Sequence, residues 1–325
     1  MKPKTLNGLM KYMRDEKGIA IAGGQKRKLK NIGYYHGYKG YRYQGKSTNK
    51  LNYSDFNELM SVYDFDMELK VITYPKIMFL ETAIKNYTLE IILEEAKSSN
   101  FNDIYSKCLL AYKEEKKGST AYRKRVEKRL NLRNQIYNSL TRDYRNGKTV
   151  VQHFFHKDAN PPIWAIFEII SMGDLGTFIS CMNRDLRIDL SKDLGINTAY
   201  IGNGEVATGV VYTLKELRNA VAHNEAIFDT RFKTGEIRGQ LKKCIEADTG
   251  ITGINFNSIV DYFILIAYML KNLRVSKTEI KQFIGSFKQA IEKLRKNVPI
   301  SLYNKIIPTD TRKKIQQLEV YVSKK

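Results

Sequence analysis

Apolar residues recur three and four positions apart through almost all of this chain. No stretch alternates apolar and polar side chains with the period of two that a half-buried strand needs. Ile280, Phe283, Ile284, Phe287, Ile291 and Leu294 are the clearest case, a stripe that only an α-helix gathers onto one face. The expected fold class is therefore all-α. Low-complexity segments and internal repeats are not evident.

The helical pattern has readable punctuation. Leu6, Leu9, Met10 and Met13 predict a helix over Leu6–Lys17, ended by Gly18. Ser54 is expected to start the next one, with Asp55 and Glu58 in its first turn. Pro75 should kink or break that run, and Ile77–Ala96 resumes it. Pro161-Pro162 punctuates the chain before an apolar segment, Ile163–Cys181, with a break at Met172-Gly173. Leu175–Arg187 and Leu194–Tyr200 read as two further short helices. Arg231–Arg238 reads as a loop or a small hairpin, and Asn257 or Ser258 can cap an apolar helix through Leu273.

With 325 residues and 42% hydrophobic content, the chain can bury a real core in one large domain or two. Its 55 Lys and Arg against 34 Asp and Glu leave a net charge of +21. That excess repels itself unless a polyanion is a partner, so nucleic acid is the first expectation and an anionic membrane the second. Thirteen of the cations fall in Lys107–Lys148 against four acids, a net +9. Tyr122, Val126 and Leu130, then Leu132, Ile136 and Leu140, give the block helical spacing, and Arg123, Lys124, Arg125, Lys128, Arg129 and Arg133 are its candidate RNA-binding residues, with a solvated charged face as the plainer alternative. A second candidate is NIGYYHGYKGYRYQ, residues 31–44, where Tyr34, Tyr35, Tyr38, Tyr41 and Tyr43 interleave with His36, Lys39 and Arg42. These rings either stack bases beside paired phosphates or pack into the core around turns at Gly33, Gly37 and Gly40.

Cys108, Cys181 and Cys244 are far apart and not in metal-ligand pairs, as reduced core thiols of a cytosolic protein would be. The first residues lack an apolar core like that of a secretory signal. The longest apolar run, Tyr262–Leu270, is far shorter than the ~20 residues of a membrane span. A cytoplasmic protein without a membrane partner is expected.

The functional candidate is Thr213–Asp229, TLKELRNAVAHNEAIFD, read as a helix through Leu214, Leu217, Val221 and Ala222. Arg218, Asn219 and His223 interrupt its apolar run. Asn219 and His223 are four apart and share a face. Arg218 lies about 140° round the helix from the histidine at roughly 100° per residue, so only its length brings the guanidinium back. A fixed cation beside a group titrating near pH ~6.5 suits phosphodiester cleavage. A helix cap or a satisfied core histidine is the plainer alternative. Glu81, inside an apolar run, is either a buried partner for a cation such as Arg218 or a solvated flank.

Four segments, read together, resemble the Abi family of bacterial abortive-infection proteins, the AbiD/AbiF-like branch of the HEPN superfamily. They are KGIAI with IGYYHGYKGYRY, VYDFDMELKVITYPKIMFLETAIKNY, IWAIFEIISMGDLGTF and LKELRNAVAHNEAIFD, in the family's order over roughly residues 5–230. Lys70 and Asn86 stand where the family tends to have arginine, Met172 where it has phenylalanine, Val221 where cysteine is common, and Asn224 where a second histidine is frequent.

The resemblance implies a HEPN-like helical bundle with N- and C-terminal helical extensions. Residues 1–50 would form a Tyr/Gly-rich extension and 51–300 the helical domain, with a basic helical insertion near 107–148 and a tail at 301–325. It implies a homodimer in which two Arg/His helices meet as one ribonuclease site without metal or cofactor. His223 would then be the acid–base group, Arg218 would offset phosphorane charge and Asn219 would hold the imidazole or a phosphate oxygen, with Glu81 and Asn224 in support. The alternative is a non-catalytic RNA-binding protein that sequesters, or is regulated by, a small structured RNA.

Overall fold

The computed structural model describes residues 4–235, 237 and 239–324. Sixteen α-helices occur among the described residues, and no strands pair into a sheet. The first half holds α1 (Leu6–Lys17), α2 (Lys26–Ile32), α3 (Phe56–Ala96), α4 (Phe101–Lys107), α5 (Thr120–Arg145), α6 (Thr149–Phe155), α7 (Ile163–Ile169) and α8 (Met172–Cys181). The second holds α9 (Arg184–Asp193), α10 (Thr198–Ile201), α11 (Glu205–Ala222), α12 (Gly239–Thr249), α13 (Ile259–Asn272), α14 (Lys277–Asn297), α15 (Ile300–Ile306) and α16 (Thr311–Ser323). Glu236 and Arg238, at the end of the expected loop or hairpin 231–238, lie outside the described residues.

Helix α3 is the spine. Its 41 residues rise roughly 60 Å, and along that length it meets α4, α7, α8, α9, α11, α13 and α14. Asp55, one residue after the expected Ser54, is the cap: its side chain accepts from the amide of Asn57, while Ser54 donates to Glu58 instead. Pro75 does not break the run. It sits on the solvent face, and the residue whose carbonyl loses a partner there, Val71, is 72% exposed, so water can serve that carbonyl. The helix ends where Lys97 turns left-handed at φ 51°.

Other expected boundaries move as well. The apolar run after Pro162 divides at Ile170 and Ser171, not at Met172-Gly173, because Ser171 and Asp174 cap each other at the start of α8. The expected helix 175–187 is two helices, since the Asn183 side chain caps α9. Helix α11 starts earlier than expected, at Glu205. Gly204 there has φ +79°, and a side chain would strike Arg187 at 2.4 Å, so only glycine admits this approach of α11 to α9.

One hydrophobic core runs from Met13 to Val322 and takes side chains from both ends of the chain. Helix α13 is buried at every position from Ile259 to Leu270, as befits a central helix that is apolar all round. No helix among the described residues is long and apolar enough to cross a membrane. The last helix is bolted to this centre. Lys314 reaches Asp261 of α13 at 2.8 Å with both side chains buried, and Asp261 also accepts the amides of Asn255 and Phe256. The three cysteines are buried and free. Burial pushes the Cys108 thiol up to about 12, which removes it as a nucleophile at neutral pH.

Candidate functional site

Helix α11 lies against α8, α9, α12, α13 and α3 through Val206, Val210, Leu214 and Leu217. It ends at Ala222, so His223 is its cap and not an interior residue. The reason for the early stop lies across the fold. Asn224 takes the left-handed conformation at φ 55°, and its side-chain oxygen accepts from Lys70 Nζ at 2.9 Å. Beyond it the chain is seized by Asp66, a fully buried carboxylate on α3. One Asp66 oxygen accepts the amides of Ile227 (2.7 Å) and Phe228 (2.8 Å). The other accepts the Tyr41 hydroxyl at 2.8 Å and pairs with Lys70 at 2.9 Å. A single side chain thus ties α3, the tyrosine-rich segment and the loop after α11 together.

That junction shows what two of the segment's five tyrosines do. Tyr38 and Tyr41 are buried, Tyr41 stacks on Phe228 with centroids 5.7 Å apart, and Tyr53 donates to the Tyr41 carbonyl. Burial, with the Asp66 carboxylate beside it, pushes the Tyr41 hydroxyl up, so it remains a donor. The segment's basic residues point elsewhere. His36, Lys39 and Arg42 line one wall of a cleft of about 550 Å³ whose other wall carries His223, Asn224, Glu225 and Arg231.

The cleft's fixed charges are three cations against one carboxylate. Arg231 is anchored by Asp229 and donates to the Tyr43 carbonyl at 2.6 Å. Arg42 lies 4.3 Å from the Tyr43 ring. Its Nε is buried without a hydrogen-bond partner among the described residues. His223 is exposed.

The other two residues of the motif sit apart from this cleft. Arg218 does not line it. Its Nε stands 3.6 Å from Glu81, which is buried and also meets Lys85 at 3.3 Å. Of the two readings of Glu81, the structure shows the buried partner of a cation. Asn219 accepts from Arg218 Nη1 at 3.3 Å. Asp66 and Arg231 were missed by sequence reasoning; a carboxylate four residues before a lysine inside an apolar run was the available signal.

None of the α5 cations lines the cleft either. Arg125 bridges Glu114 (2.9 Å) and Glu115 (3.0 Å) and donates to the Ala111 carbonyl. Arg129 stacks 3.6 Å over Tyr105 and donates to its carbonyl. Arg133 lies 5.2 Å from the Tyr105 ring, and Lys128 5.7 Å from the Tyr212 ring on α11. Arg123 and Lys124 are exposed. If this face meets RNA, log affinity should fall against log salt by about 0.7 per neutralised single-strand phosphate. Charge reversal at Arg123 and Lys124 should flatten that slope, measured by titration at several salt concentrations. The same change at Arg125 should instead lower folding stability. An unchanged slope would mark a solvated face.

No group of three or more His, Cys, Asp or Glu side chains that could hold a metal lies together among the described residues. A family model described as Abi-like protein matches residues 27–229, from α2 through the Asp66-bound loop. No curated protein and no solved structure matches the chain.

Proposed function

The chain belongs to the Abi-like protein family, and from that premise we propose that it is an endoribonuclease of phage defence or of a toxin–antitoxin system, of the HEPN kind. It would cleave RNA by attack of the 2′-OH on the adjacent phosphate. The observation that carries the reading is the cleft: an exposed His223 faces Lys39, Arg42 and Arg231, two of them on the segment that Asp66 fastens to α3. The cations draw in the RNA backbone, and His223 moves the proton from the 2′-OH or to the leaving 5′-oxygen. The products are a 2′,3′-cyclic phosphate or 3′-phosphate and a 5′-hydroxyl.

Charge building on the phosphorane needs a cation at the reacting atoms. Within one chain Arg218 does not line the cleft, so a two-fold partner would bring the two α11 ends together and complete the site. An exposed apolar strip on α3 supports such pairing. Val71 (72% exposed), Tyr74, Pro75 and Phe79 (46%) follow one another at helical spacing on the turns that carry Lys70 and Glu81. Light scattering should give a dimer at micromolar concentration, and Val71→Asp with Phe79→Asp should give a folded monomer without RNA cleavage. A monomeric wild-type protein that cleaves RNA would contradict the composite site.

The second reading is a non-catalytic RNA-binding protein, regulated by or sequestering a small structured RNA. The engagement of Arg218 with Glu81 favours it. Wild-type protein that binds RNA tightly and leaves it intact would select this reading. The location implied by either is cytoplasmic.

A further inference from the structure

A second cleft, of about 370 Å³, opens at the far end of the spine. It lies between the C-terminal half of α5, the start of α4 and the segment that follows α6. The 27 residues of α3 from Lys70 to Ala96 rise roughly 40 Å, so this cleft is remote from His223. Its walls are aromatic. Phe101 meets Tyr137 edge-on at 6.2 Å, and Tyr144 meets Phe155 edge-on at 5.7 Å. Tyr137, Tyr144 and Phe155 stay 42%, 41% and 38% exposed, three of the large rings the fold leaves most open to solvent. Leu140 and Ile166 supply the apolar floor, and the amides of Asn100, Asn102 and Asn160 supply donors and acceptors. No charged side chain among the described residues lines it.

Arginines of α5 and the rings of Tyr105 on α4 and Tyr137 on α5 lead towards this opening. Arg129 covers Tyr105 at 3.6 Å, and Arg133 stands between Tyr105 (5.2 Å) and Tyr137 (5.8 Å), the last of which is a wall of the cleft. The Arg129 Nε and the Tyr105 hydroxyl are buried without hydrogen-bond partners among the described residues. At the other rim His156 lies 3.5 Å from the Tyr144 hydroxyl.

We propose that this cleft is a base-binding pocket for single-stranded RNA: one unstacked base lies against the rings of Tyr137, Tyr144 and Phe155, the asparagine amides meet its edge, and Arg133 pairs a neighbouring phosphate. Uncharged aromatic walls beside arginines, on a chain of net charge +21, are what sequence-tolerant single-strand binding uses. The volume falls at the small end of ligand sites, about 300–1,000 Å³, which suits one base better than a docked helix. The strip α5 offers a strand a path to the pocket, so occupancy would raise affinity without touching the chemical step.

The inference rests on RNA as the ligand and is independent of cleavage. It is tested on full-length His223→Ala protein, so that bound RNA is not lost to turnover. The probes are a labelled single-stranded RNA of about twelve nucleotides and a matched oligonucleotide with abasic residues. Tyr137→Ala and Tyr144→Ala should each weaken RNA binding at least about fivefold, the lower end of what stacking on one ring contributes, and Tyr144→Phe should restore it. The abasic probe should bind parent and variants alike. Equal RNA affinity across parent and alanine variants would overturn the pocket and leave it to a protein partner. Equal loss of both probes would overturn it as well, since phosphate contacts or folding would then account for the change. A parent that binds neither probe would overturn the RNA reading of the whole protein, an outcome distinct from failure of the pocket alone.

Discussion

His223→Ala is expected to lower RNA cleavage by at least about two decades while RNA binding survives, because general acid–base participation contributes about 10²–10⁴-fold. His223 is exposed and caps α11 through its backbone amide, which bonds to the Asn219 carbonyl at 2.9 Å whatever the side chain. The variant should therefore fold. Arg218→Ala should cost a similar factor through lost charge stabilisation, with one difference. It also leaves Glu81 with Lys85 alone at 3.3 Å, so a modest loss of stability should accompany the loss of activity. Thermal melts beside gel-based cleavage assays separate the two effects. A His223→Ala protein as active as wild type would remove this histidine from the chemistry.

The largest effect on folding is expected at Asp66. Replacing it with alanine strips the Ile227 and Phe228 amides and the Tyr41 hydroxyl of their acceptor and leaves Lys70 charged and buried. Removing one partner of a buried ion pair costs roughly 3–5 kcal/mol, which urea unfolding measures directly. Asp66→Asn should cost less, since its amide oxygen can still accept two of these donors. The loop 223–229 carries one wall of the cleft, so Asp66→Ala should also reduce activity in whatever fraction stays folded. A loss below about 1 kcal/mol would mean that the junction is held by packing around Phe228 and Tyr41 instead.

What could be read from the residues follows the range of the forces involved. The α1 boundaries, Leu6–Lys17 with Gly18 in the left-handed conformation, and the buried stripe of α14 are set by local spacing and capping. They were legible for that reason. The end of α11 was not, because Asp66 takes hold of residues 227 and 228 from more than 160 positions away. Pro75 looked like a break, since nothing local says that its face of α3 lies outside the core. In the tyrosine-rich segment the pattern of rings and cations was visible, but which rings are buried and which cations face His223 depends on that same remote carboxylate. The block on α5 was legible as a charge. That Arg125 and Arg129 are held by Glu114, Glu115 and Tyr105 was not.

The most direct test uses one RNA containing a cleavage site and a copy with a single 2′-deoxyribose at the scissile position. Wild-type protein is incubated with each in the presence of EDTA. The proposed chemistry predicts cleavage of the all-ribose strand with a 5′-hydroxyl product, and none at the substituted position, because the nucleophile has been removed. Cleavage of the 2′-deoxy strand at that position, or loss of all cleavage on chelation, would contradict it.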